Sequence, residues 1–109
     1  MKKTYSAGTL AERRAADAHT RARPTRGSGC GNDPGDYELK DYLVEVKSTV
    51  NKSISLKYQW LGKIVRQALS RNRQPALQIM FTDDLGRPYP DGNWIAVPEH
   101  VFKELIGEE

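Results

Sequence analysis

The sequence predicts an α/β fold: a single domain over residues 1–109, a sandwich in which a central mixed sheet is flanked by helices. Three observations lead there. Periodic segments follow one another as helix, two or three strands, helix, two strands, helix, the order expected when a helix crosses between strands of one sheet. The stretch Tyr42-Leu43-Val44-Glu45-Val46-Lys47 alternates apolar and charged residues beyond its first pair, the period-two signature of a strand. A chain of 109 residues that is 38% hydrophobic can bury one modest core, and not two.

Each element has a local reason. Residues 1–8 read as a flexible N-terminus. Thr9 is a helix N-cap with Glu12 three positions on, a T-x-x-E capping box, and the helix runs to about Arg23 before Pro24 stops it. Residues 24–35 form a loop, since Gly27, Gly29, Gly31, Pro34 and Gly35 fall within twelve positions. A short strand over Asp36–Leu39, a turn at Lys40-Asp41 and the strand Tyr42–Lys47 make a hairpin. Ser53 or Ser55 caps a second helix to about Asn72, whose Leu56, Trp60, Leu61, Ile64, Val65, Ala68 and Leu69 recur at helical spacing as one apolar stripe. Ala76–Phe81 reads as a buried strand, Asp83–Gly86 as a turn and Trp94–Val97 as a last strand. Pro98 opens a short C-terminal helix at its first position. Trp60 and Trp94 are expected in the core rather than as base-stacking platforms.

Composition narrows the partners. No apolar run reaches the ~20 residues that span a bilayer, so no membrane partner is expected. The N-terminus lacks the apolar core of a secretory signal, and the lone Cys30 forms no internal disulfide, which together fit a reducing cytoplasm, that of a prokaryotic or phage-infected cell on the resemblance given below. The net charge of +3 conceals a polarity along the chain. Between Lys47 and Arg73 lie seven bases and no acid, whereas residues 82–109 hold seven acids against Arg87 and Lys103. An acid-free run of this length fits either a polyanionic partner, whose counterions it would release, or an ordinary solvated basic face. His19 and His100 stand apart, without ligand-like spacing.

Glu45 and Lys47 raise the chemical question. Residues two apart in a strand share a face, so this carboxylate and ammonium project together while Val44 and Val46 point the other way. Asp36 lies just upstream, at the start of the preceding strand, and Glu12 projects from a helix that can pack across the same edge. Such a cluster is either a hard-cation site or an ion pair beside a turn aspartate, and Glu12 is either part of it or only a cap.

Asp36 followed by Glu45-Val46-Lys47 has the D-x(n)-E-x-K form, and here the chain resembles the PD-(D/E)xK nuclease superfamily. Within it, the likeness is to the small Holliday-junction resolvases of archaeal and phage type. It rests also on the first-helix Glu12, the Arg26-Gly27-Ser28-Gly29 loop and Ser48-Thr49 after the lysine. It spans roughly residues 9–81. Gly35 stands in place of the proline of the motif, with Pro34 one residue earlier. The resemblance implies a restriction-endonuclease-like fold and a Mg²⁺-dependent endodeoxyribonuclease, with Mn²⁺ able to substitute. Asp36, Glu45, the Val46 carbonyl and Glu12 would hold the metal, Lys47 would assist the attacking water, and Ser28 would contact a phosphate. It implies a homodimer that cuts branched DNA by paired nicks in recombination or repair. A duplex-cleaving repair or restriction-type nuclease, and a non-catalytic nucleic-acid-binding module, are the alternative expectations. Arg13, Arg26, Lys52, Lys57, Lys63, Arg66 and Gln59 are the expected DNA contacts. The dimer contact is expected near Trp60 and Val65 or near Met80 and Phe81, with the acidic C-terminal segment turned from DNA.

Overall fold

The computed structural model describes residues 6–18, the backbone of 23–24, and 37–108. Along the chain these form α1 (Ala7–Asp17), β1 (Arg23–Pro24), β2 (Tyr37–Glu38), β3 (Tyr42–Thr49), α2 (Tyr58–Ser70), β4 (Gln74–Thr82), β5 (Pro88–Ala96) and α3 (Glu99–Ile106). The strands make one sheet in chain order, parallel between β3 and β4 and antiparallel elsewhere. The expected α/β sandwich with a mixed sheet is the fold observed. No helix among the described residues is long and apolar enough to cross a membrane.

Alternation along β3 sets the layers. Val44 and Val46 are buried in a cluster with Ala11 and Ala15 of α1, Tyr37 of β2, and Ala76 and Met80 of β4. Small residues on α1 let that helix lie close to the sheet. Leu43, Glu45 and Lys47 point to the opposite face, where α2 spans the β3–β4 pair from Tyr42↔Gln74 to Thr49↔Phe81. On the α1 face, the Tyr37 hydroxyl reaches past β3 and donates to Gln78 Oε1 at 2.6 Å, while Gln78 Nε2 donates to Asn93 Oδ1 at 2.6 Å. This buried chain ties β2, β4 and β5 together. Leaving any of its groups unpaired would cost about 1–3 kcal/mol.

Several boundaries differ from the sequence expectation. The first helix starts one turn earlier: Ser6, not Thr9, is the N-cap, accepting from the Thr9 amide at 3.1 Å, so no Thr9–Glu12 capping box forms. Its helical run ends at Asp17 rather than Arg23, and Arg23–Pro24 instead pair with Tyr37 and Glu38 as β1. Ser53 and Ser55 cap nothing; α2 begins at Tyr58 without a side-chain cap. Ile54 and Leu56 line a cavity with Ile79, Phe81 and Trp94. β4 takes in Pro75, which lies beyond Leu77↔Ala96, the last pairing with β5, where the strand has one neighbour. β5 reaches back to Pro88, and Pro98 caps α3 rather than opening it. Trp94 is 60% exposed and not in the core, and Leu56, Leu61, Val65 and Leu69 are exposed as well. The expected α2 stripe therefore divides. Cys30 and His19 lie outside the described residues, and His100 is exposed on α3.

The turn between β4 and β5 locks α1 in place. Asp83 accepts from the Leu85 and Arg87 amides at 2.9 and 3.0 Å, and the Leu85 carbonyl accepts from Arg14 Nε at 3.2 Å. Gly86 sits at φ +76°, and a Cβ there would fall 2.5 Å from the Ala11 nitrogen. Only glycine fits that approach. Gly86→Ala is therefore expected to lose about 2 kcal/mol or more, read as a lower urea midpoint with an unchanged denaturant slope.

Candidate active site

Three of the expected site residues, Glu12 on α1 and Glu45 and Lys47 on β3, act on one another electrostatically. Gly8 of α1 lies over Ser48, with an added Cβ only 3.8 Å from its hydroxyl. From Gly8, α1 runs back toward the buried Val46 and Val44. Four helical residues rise about 6 Å and two strand residues about 6.6 Å, so Glu12 comes level with Val46, between Glu45 and Lys47. Among the described residues, β2 pairs with β3 at Leu43 and Val44.

Electrostatics record the convergence. Burial holds the Glu12 carboxyl above its ordinary value, the Glu45 charge raises it further, and Lys47 offsets part of both effects. Lys47 Nζ stands 3.6 Å from Glu45 Oε1 and 4.7 Å from the centre of the Trp60 ring. Carboxylate and indole face together fix the ammonium beside the two acids. Trp60 was not among the residues the sequence singled out for the site. Its position in the first turn of the helix following E-x-K was the available signal, overridden by its place in the apolar stripe.

The remaining sequence-derived residues distribute unevenly. Asp36, Ser28 and Arg26 lie outside the described residues. Val46 is buried. Arg13, Lys52, Lys57, Gln59, Lys63 and Arg66 are all exposed. Lys52 lies over the Tyr89 ring at 4.5 Å and Lys57 over Trp60 at 5.9 Å, so two of the bases follow aromatic faces close to Lys47. Arg71 and Arg73 leave the basic run: both pair with Glu38, Arg73 Nη2 at 3.1 Å, in an ion pair that joins β2 to the end of α2. The acid-free stretch is thus part surface and part structural pin. Met80 is 1% exposed, which excludes it from any contact between subunits.

Among the described residues, no group of three or more His, Cys, Asp or Glu can hold a metal ion. Glu12 and Glu45 are two carboxylates whose charges act on each other, and Glu12 is held above its ordinary value by burial first and by the Glu45 charge second. No family model, curated protein or solved structure matches the chain.

The raised Glu12 carboxyl has a defined sign in stability. Its folded form holds the proton more tightly than the unfolded chain, so stability falls as pH rises from the unfolded value of 4.5 through the raised folded value, and the penalty persists above it. In metal-free buffer, Glu12→Gln should melt higher than wild type at neutral pH and match it below pH 4.5, and should flatten the pH profile of the melting temperature between the two.

Proposed function

We propose that the chain is a metal-dependent phosphodiesterase acting on DNA, and more particularly a structure-selective endonuclease of the PD-(D/E)xK kind that resolves four-way junctions. The observation that supports the reading is the Glu45–Lys47 pair on β3 at 3.6 Å, whose charges also act on the half-buried Glu12 of a separate helix. A strand ion pair needs no third acid, and an acid that served only as a helix cap would not be held half-buried beside another carboxylate.

Asp36, which lies outside the described residues, is proposed as a further member of the site on the D-x(n)-E-x-K pattern. It precedes Tyr37 by one peptide bond, and Tyr37 pairs with Val44, the neighbour of Glu45. Tyr37 is in turn held by Gln78. Asp36, Glu45, the Val46 carbonyl and Glu12 are the proposed oxygen ligands. A bound Mg²⁺ or Mn²⁺ would lower the pKa of a bound water and offset charge on the scissile phosphate. Lys47, oriented by Glu45 and Trp60, places a fixed positive charge and three donors where water and phosphate would meet. Lys52, Lys57 and Lys63, together with Arg13, Arg26, Arg66 and Gln59, are the proposed DNA contacts, and Lys57 shares the Trp60 ring with Lys47. Phosphate contacts of this kind position a duplex without reading its sequence. Ser28 remains the proposed phosphate contact of the glycine-rich loop.

The test incubates the protein with a fixed four-way junction and a matched linear duplex, in Mg²⁺ or in EDTA. Metal-dependent paired nicks in the junction alone are expected. Asp36→Asn, Glu45→Gln and Lys47→Ala should each slow cleavage about a hundredfold or more, with junction binding retained. Cleavage of the duplex at equal rate would move the reading to a repair or restriction-type nuclease. Binding without cleavage in either metal would leave a non-catalytic module, and near wild-type cleavage by Glu45→Gln would refute the metal assignment.

A further inference from the structure

The sheet face that carries Lys47 extends to the edge strand β5. Lys47 pairs in register with Ile79 of β4, and Ile79 with Trp94 of β5. Directly paired residues share a face, so Lys47, Ile79 and Trp94 form one row across the sheet. Two strand spacings put Trp94 roughly 10 Å from Lys47. Its side chain is 60% exposed.

Trp94 stands at a cavity of about 300 Å³, which it lines with Ile54, Leu56, Ile79 and Phe81, and no lining residue is charged. On α2, Leu61 and Val65 line an apolar groove, and with Leu69 they form an exposed ridge beside it. The groove shares Leu56 and Ala96 with the cavity. The cavity, unlike the groove, holds an indole of fixed orientation. Trp94 Nε1 donates to the Asp91 carbonyl at 2.7 Å, and Asp91 is itself set at φ +59°. With its one donor engaged, the indole presents a π face and no free polar group.

Positive charge accompanies the apolar lining. Lys52 is two residues from Ile54 and Lys57 is next to Leu56. Lys52 lies over the Tyr89 ring at 4.5 Å, and Lys57 shares the Trp60 ring with Lys47. An apolar slot with a fixed aromatic wall and lysines beside it suits a flat ring tethered to an anion. An unpaired nucleotide has that chemistry, whereas an apolar peptide side chain would need no cations around it.

We infer that this cavity takes one unstacked nucleobase against the Trp94 indole, from a strand whose phosphates lie toward Lys52 and Lys57. The inference rests on the DNA reading above and adds to it the form of DNA that is bound. Bases in a linear duplex stay stacked, whereas a single-stranded flap or an interrupted stack at a branch supplies a free one. Stacking selects no particular base, since every base has a π face.

The test measures binding in EDTA, where metal-dependent cleavage is off. By fluorescence anisotropy, labelled oligo-dT should bind more tightly than the same backbone made wholly of abasic sites. Trp94→Ala should weaken oligo-dT binding about tenfold and leave the abasic backbone unaffected, while Trp94→Phe keeps most of the affinity. In Trp60→Phe, Trp94 is the one remaining of the two tryptophans. Oligo-dT should quench its emission and the abasic backbone should not, a readout that requires no change at Trp94. Equal affinity for the two ligands, or emission unmoved by oligo-dT, would overturn the inference and leave junction cleavage untouched. Base-dependent binding without cleavage in Mg²⁺ would uphold it and refute the nuclease. Failure to bind either ligand or the junction would refute both.

Discussion

The parallel pairing of β3 with β4 is the constraint from which the rest follows. Parallel neighbours cannot be joined by a tight turn, so a crossover is required, and α2 provides it. A parallel pair also has to be covered on both faces. Val44 and Val46 receive α1 on one side, and Leu43 receives α2 on the other. Glu45 and Lys47 share the α2 face, but they lie toward the end of the strand where α1 also reaches. Two charged residues can therefore stand in a strand that is otherwise buried.

What could be read from the sequence follows from how local each signal is. Strand alternation is a property of neighbouring residues, and β3, the E-x-K face and the opposed valines emerged directly. The element order emerged for the same reason. Boundaries that depend on a competing partner did not. Thr9 and Ser53 are both good caps, yet Ser6 takes the amide of Thr9, and α2 begins at Tyr58 with no side-chain cap. The Trp94 side chain, apolar by type, ends on an edge strand, a placement that no local pattern encodes.

The acid-free run illustrates the same division for charge. By sequence, Arg71 and Arg73 are indistinguishable from Lys57 and Lys63. In the fold, the two arginines close on Glu38, an acid 33 residues away from Arg71, and convert formal charge into a tie between β2 and α2. The lysines stay exposed. Of two acid–base groupings on neighbouring strands, Glu38 is therefore neutralised twice over. Glu45 has one lysine at 3.6 Å and a second carboxylate within its field.

α2 connects that cluster to the apolar face. Trp60 and Leu61 are consecutive residues, so their side chains diverge by about 100° around the helix. The first turns to Lys47 and the second to the groove. Rotation of the helix start about its axis would uncouple Lys47 from the indole and misalign the exposed ridge together. With no side-chain cap at Lys57, packing has to set that rotation, and on the described surface the sheet supplies it only through Ile64 and Ala68 further along.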